Sequence, residues 1–200
     1  VSVCFVDLVG FTSWSESRDP EDVREFLSGY FELARTVVDR YGGVVEKFIG
    51  DAVMAVWGSP VAQEDDAERA VRAALELVGM VPGLGERSQV PGLQARAGVV
   101  TGQVMSWANP GEGLVVGDRV NTAARVQAAA APSTVYVDET TRRVTQAAVS
   151  YLDTGAHSVK GKAESLRLWR ADRVVAGVGG VRRVDSLETA FVGAVVSCRW

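Results

Sequence analysis

The chain has 200 residues, 47% of them apolar and 23% charged, with a formal net charge of −4. That is room for one sizeable domain and a tail, or at most two small domains. The acidic balance argues against a general nucleic-acid binder, and no apolar run reaches the roughly 18–20 residues that span a bilayer.

Residues 1–8 read as a buried strand rather than a signal peptide, because no basic segment or cleavage site flanks them. The first residue is not methionine, so some N-terminal sequence is expected to be missing. Cys4 lies in this strand and Cys198 near the other end, which gives no disulfide framework and points to a reducing, cytoplasmic setting. Asp19-Pro20 supplies an N-cap and a first-turn proline for a helix whose apolar residues run from Val23 to Tyr41, stopped by Gly42-Gly43. Two β-like runs follow, 44–49 and 52–57, joined by Gly50-Asp51, a two-residue loop that predicts a tight hairpin with Asp51 at its tip.

A second helix is predicted from about Asp65 to Gly79, with an apolar stripe through Ala67, Ala70, Val71, Ala74, Leu75 and Val78 and a Glu68–Arg72 pair at i,i+4. Residues 80–92, with two prolines and three glycines, read as a loop. A long strand is expected over 93–107, interrupted at Gly102, then a turn at 111–113 and the short run Leu114-Val-Val116. Gly117-Asp118 opens a helix to about Ala130 with Asp118 as N-cap. Short strands at 135–137 and 150–153 enclose another helix, and 164–170 is the last strand. The order β-α-β-β-α-β predicts an α+β fold with a ferredoxin-like core and extra C-terminal strands and a helix. Residues 1–171 form the main expected domain. Residues 172–200 read as a linker and tail, either a disordered end or the truncated start of a further module.

Two aspartates carry most of the chemistry. Asp7 sits in Phe5-Val-Asp-Leu-Val-Gly-Phe-Thr12 and Asp51 in Glu46-Lys-Phe-Ile-Gly-Asp-Ala-Val-Met54, each at a strand end. Singly, either is a common turn residue. Together, beside a turn at Val9, Gly10, Phe11 and Thr12 whose amides can meet phosphate oxygens, they make a site for divalent metal and phosphate. Strand alternation groups Lys47 with Val45 and Ile49, so that its ammonium lies among apolar neighbours and needs a partner or a cavity. Asn121 and Arg125 share one face of a helix at i,i+4, an amide and a guanidinium suited to a sugar oxygen and a phosphate. Lys160 and Lys162 flank a glycine, where a basic hairpin tip is the plainer explanation. His157 reads as an exposed loop residue without a role.

These motifs, in this order and spacing, resemble the catalytic domain of the class III nucleotidyl cyclases, the adenylyl and guanylyl cyclases, over about residues 1–171. The resemblance rests on Phe5–Thr12, Glu46–Asp51, Gly117–Arg125 and Val159–Lys162. It implies that Asp7 and Asp51 bind two divalent ions, Mg²⁺ or Mn²⁺, that Lys47 reads adenine, that Asn121 orients the ribose, and that Arg125 stabilises the transition state. It further implies that Lys160 contacts the terminal phosphates. Family members pair head to tail, one protomer giving the aspartates and the other the remaining residues. The chain holds both sets, so a homodimer with two shared sites is expected, acting on ATP without nucleic acid or a membrane span.

One position departs from the family. Leu114 stands where adenylyl cyclases carry a residue that accepts a hydrogen bond from the purine amine, which costs about 1–3 kcal/mol of discrimination. Lys47 still favours ATP over GTP, since guanylyl cyclases usually have Glu there. A guanylyl cyclase and a catalytically silent nucleotide-binding dimer are the competing readings. A related enzyme making cyclic dinucleotides is disfavoured by the absence of a Gly-Gly-Asp/Glu-Glu-Phe-like hairpin.

Overall fold

The computed structural model describes residues 1–106, 115–158 and 165–177. Strand β1 (Ser2–Val9) is central and buried, and a five-residue helix α1 (Phe11–Ser15) follows Gly10. Helix α2 (Pro20–Arg40) begins and ends as its proline and glycines predict, although the Asp19 side chain makes no capping bond. Strands β2 (Val44–Ile49) and β3 (Ala52–Trp57) form the expected hairpin. Then come α3 (Asp66–Arg87), β4 (Gln94–Thr101), the two-residue strands β5 (Met105–Ser106) and β6 (Val115–Val116), and α4 (Asp118–Ala129). Strand β7 (Val135–Asp138), α5 (Glu139–Thr145), β8 (Val149–His157) and β9 (Leu166–Val174) complete the described chain.

Seven strands make one sheet in the order β2-β3-β1-β4-β7-β9-β8, and β5 pairs with β6 apart from it. The first four strands reproduce the ferredoxin-like order, all antiparallel, and β7 joins β4 in parallel. Alternation along β1 divides the core. Cys4, Val6 and Leu8 face α2 and α3, packing with Tyr30, Val37, Val71 and Leu77. Val3 and Phe5 face the other side, packing with Met54, Val56 and the α4 residues Ala123 and Val126.

Several expectations need correction. Helix α3 does not stop at Gly79 but runs through Pro82, Gly83 and Gly85 to Arg87. Buried Val81 and Leu84 extend the apolar stripe, and Gly85 lets Leu93 pack against the helix, where a Cβ would meet the Leu93 Cβ at 2.7 Å. Burial of Val81, Leu84 and Leu93 contributes about 1.5–3 kcal/mol each, comparable in sum to about 3 for the proline and about 1 for each glycine. The Glu68–Arg72 pair forms at 2.7 Å. The long strand expected over 93–107 ends at Thr101, and the N-cap of α4 is Gly117, with Asp118 in its first turn. His157 is not in a loop: it ends β8, half-buried, with its ring edge-on to Tyr136 and Nε2 3.1 Å from Thr154 Oγ1. Strand β9 runs past the expected end at Arg170 to Val174; residues 178–200 lie outside the described ones.

The hairpin brings the change that matters for function. Val45 pairs with Ala55 and Lys47 with Met54, leaving Glu46 as a bulge. An extra residue reverses the alternation beyond it. Val45 and Phe48 therefore pack on the α2/α3 core, while Val44, Lys47 and Ile49 share the opposite, α4-side face. The grouping of Lys47 with Val45 is wrong, and Lys47 is exposed rather than enclosed by apolar neighbours.

Candidate active site

Asp7 stands near the end of β1, on the same sheet face as Phe5 and Lys47. Asp51 occupies the tip of the β2–β3 hairpin, which turns at Gly50 with φ 62°. A Cβ on Gly50 would meet nothing within 4 Å, so glycine serves the left-handed conformation there rather than space. The two carboxyl groups lie within hydrogen-bonding reach of each other. Burial first, and then the charge on Asp7, push the Asp51 carboxyl above its ordinary pKa; its own amide and that of Leu8 hydrogen-bond to it and oppose the rise. Tyr30, fully buried on α2, feels both: its hydroxyl is raised well above the usual value by burial, then by Asp51 and Asp7.

Two residues that motif reasoning passed over complete the cluster. Arg96 on β4 is the register partner of Asp7, and its Nη2 donates to Asp7 Oδ2 at 3.3 Å. Its Nη1 donates to the Ala128 carbonyl at 3.1 Å, and its Nε is buried with no acceptor. Gln127 on α4 donates from Nε2 to the same Asp7 Oδ2 at 3.2 Å. Both had a signal in the chain. Arg96 interrupts a run of small and apolar strand residues, and Gln127 lies on the buried stripe of α4 with Ala123, Val126 and Ala130, where a polar group requires a partner.

Beside the carboxylates, Val9 is half-buried and Gly10, the N-cap of α1, has φ 74°. Phe11 is buried and stacks on Phe26, whereas Thr12 is exposed. The first amides of α1 have no intrahelical acceptor and remain available to an anion. Asn121 is exposed and Arg125 half-buried on α4. Among the described residues, no hydrogen bond or ion pair joins Lys47, Asn121 or Arg125 to either aspartate. Leu114 and Lys160 lie outside the described residues. A cavity of about 590 Å³ between α3 and α5, lined by Glu68 and Thr145 among others, is remote from all of these groups. Asp7 and Asp51 are themselves half-buried.

The model of the adenylate and guanylate cyclase catalytic domain family matches residues 1–170. The chain belongs to this family. The cyclase domain is 32% identical over 197 residues to Adenylate cyclase 1 of Rhizobium meliloti (strain 1021), covering 94% of this chain and 29% of that protein. It thus spans less than a third of that relative's length. Among solved structures it is similar to the adenylyl cyclase CyaB from P. aeruginosa, with a TM-score of 0.80 and 25% identity over 86% of this chain and 93% of that one. It is equally similar to the guanylyl cyclase Cya2, with a TM-score of 0.79 and 26% identity over 86% and 91% of the two chains. No helix of the cyclase domain, among the described residues, is long and apolar enough to cross a membrane.

Proposed function

We propose that the chain is an adenylyl cyclase that converts ATP to 3′,5′-cyclic AMP and pyrophosphate at sites shared between two copies of itself. The meeting of Asp7 and Asp51 beside Arg96 carries this reading. Burial and the neighbouring charge of Asp7 raise the cost of ionising Asp51, and a cation between the two carboxylates removes that cost. Their hard oxygens suit Mg²⁺ or Mn²⁺. Among the described residues no third carboxylate, histidine or cysteine joins a metal-binding group, which leaves coordination positions for phosphate oxygens. Such ions, when bound, lower the pKa of the ribose 3′-hydroxyl and neutralise the triphosphate.

The chain's own residues then have separate tasks. Asp7 and Asp51 hold the cations at the end of β1. The amides at the start of α1 bind phosphate oxygens, and Arg96, held between Asp7 and the Ala128 carbonyl, adds positive charge close to them. The 3′-hydroxyl gives its proton to water as its oxygen attacks the α-phosphorus, the bond to the bridging oxygen breaks, and pyrophosphate leaves. Asn121 and Arg125, free of ion pairs with either aspartate in their own protomer, serve the site of the other copy. Asn121 orients the ribose there, and Arg125 meets charge that grows on the α-phosphate, an interaction that lowers the barrier more than it aids substrate binding. Lys47, on the open face of β2, reads the base, and Lys160 contacts the terminal phosphates. That face also exposes Val44 (41%) and Ile49 (51%), an apolar surface suited to a second copy.

GTP is the second reading, favoured by the equal similarity to Cya2 and CyaB. Incubation of the purified protein with ATP or GTP and either Mg²⁺ or Mn²⁺, followed by chromatography of products, separates the two. Cyclic AMP is the expected product; cyclic GMP alone would move the assignment to the guanylyl enzymes, and no cyclic product from either nucleotide would overturn catalysis.

A further inference from the structure

Helix α4 carries two kinds of polar residue on opposite sides. Asn121 and Arg125 point away from the sheet, and Gln127, two positions beyond Arg125 and so about 200° around the helix, points into it. Gln127 is 7% exposed, and its amide reaches Asp7 across the helix–sheet interface. The backbone there is close: a Cβ on Gly98 of β4 would lie 2.3 Å from the Gln127 nitrogen and 2.8 Å from the Ala123 carbonyl oxygen. The helix sits flush on the strand, so the Gln127 side chain extends from a fixed point.

Arg96 and Gln127 both donate to Asp7 Oδ2, but they differ in charge. A guanidinium beside the carboxylate competes with a metal cation for it, whereas a neutral amide fixes the oxygen and leaves its negative charge intact. Metal-ligating carboxylates are oriented by such outer donors, and losing one typically weakens metal binding or activity 10–100-fold.

We propose that Gln127 is a positioning residue, which holds Asp7 in its metal-binding orientation from the helix that presents Asn121 and Arg125 to the other protomer. The inference rests on the proposed reading of Asp7 as a metal ligand. Its consequence is that α4 touches both sites of a dimer: its inner side steadies the carboxylate of its own protomer, and its outer side serves the partner's site.

The test uses the full chain with Gln127→Met, which keeps side-chain length and helix propensity and removes the donor. Mn²⁺ alone is titrated into wild type and variant, and the free-ion signal is followed by electron paramagnetic resonance, so the readout does not depend on turnover. About tenfold weaker Mn²⁺ binding, with an unchanged melting temperature, is expected. Equal Mn²⁺ affinity in the two proteins would overturn the proposal while leaving the metal reading in place. Absence of Mn²⁺ binding by the wild type would overturn both.

A second arm mixes an Asp7→Ala chain with an Arg125→Ala chain, so that the one intact site takes its aspartates from the latter and its arginine from the former. Gln127→Met should lower activity about tenfold only when placed on the Arg125→Ala chain, beside the working Asp7. An equal loss from the other chain would mean that Gln127 acts by packing α4, contrary to the proposal. Failure of the parent mixture to regain activity would count against shared sites, and the Mn²⁺ titration would still judge Gln127.

Discussion

Asp7, on a central strand, and Asp51, at a hairpin tip, are held within hydrogen-bonding reach of one another, yet among the described residues only Asp7 has a cationic partner, Arg96 at 3.3 Å. The two therefore respond differently to removal. Asp51→Asn takes away one of two close negative charges and leaves the Arg96 pair intact, so the metal-free protein should melt at a higher temperature than wild type. Asp7→Ala leaves the Arg96 guanidinium without its carboxylate and should melt lower. Both should lose about a thousandfold in metal-dependent turnover, in line with the several kcal/mol attributed to metal catalysis. Thermal melts in chelator and product assays with Mn²⁺ check the pair; near-normal turnover by either variant contradicts the metal assignment.

Arg125 is half-buried on α4 and makes no ion pair among the described residues, so its loss should not disturb the fold. If it meets charge that develops only in the transition state, Arg125→Ala should lower kcat by about 10²–10³ and change KM little. Steady-state kinetics over a range of ATP decides this. A rise in KM at constant kcat would instead make Arg125 a ground-state binding residue.

Ile49 and Val44 share the open face with Lys47, and Ile49 is half exposed in a single copy. A charge placed in an apolar contact between copies costs several kcal/mol when it has no partner. Ile49→Glu is therefore expected to shift the protein to monomer in sedimentation velocity and to abolish cyclase activity, with the monomer's melting temperature unchanged. A dimer of undiminished stability would place the contact between copies elsewhere.

The motif residues were legible because their chemistry is local: a strand end followed by a glycine turn, a two-residue hairpin, an i,i+4 pair on one helix face. Asp51 stands at its hairpin tip as the loop length required, and the order of the first four strands followed from the alternation of elements. What escaped depends on distant contacts. The bulge at Glu46, which turns Lys47 to the open face, has no marker in the run Val44–Ile49. The continuation of α3 through Pro82 is decided by burial of Val81 and Leu84, which outweighs local propensity. Arg96 and Gln127 join the site only because β4 lies beside β1 in one register and α4 crosses above them.

Asp138 offers a test of how burial sets the response to acid. It caps α5, its Oδ1 accepting from the Thr141 amide at 3.0 Å and the Thr141 hydroxyl at 2.6 Å, and Arg119 Nη1 lies 3.7 Å from Oδ2. Burial raises its pKa above the ordinary 3.8, against the opposing pull of the Thr141 bonds and Arg119. A raised carboxyl binds its proton more tightly in the folded protein than in the unfolded one. Its contribution to stability is thus complete below the ordinary value and is lost as pH rises through the raised one. Asp138→Asn keeps an acceptor for Thr141 and removes the titration. Arg119 loses a partner, but at 41% side-chain exposure that costs little. In urea unfolding across the acid range, Asp138→Asn should gain stability on wild type as pH rises and then level off. Asp138→Ala, which also lacks the titration but has no acceptor, should run parallel to Asp138→Asn and lie below it by about 1 kcal/mol at every pH, the usual worth of an N-cap. If Asp138→Asn tracked wild type at a constant offset over the whole range, burial would not be governing this carboxyl.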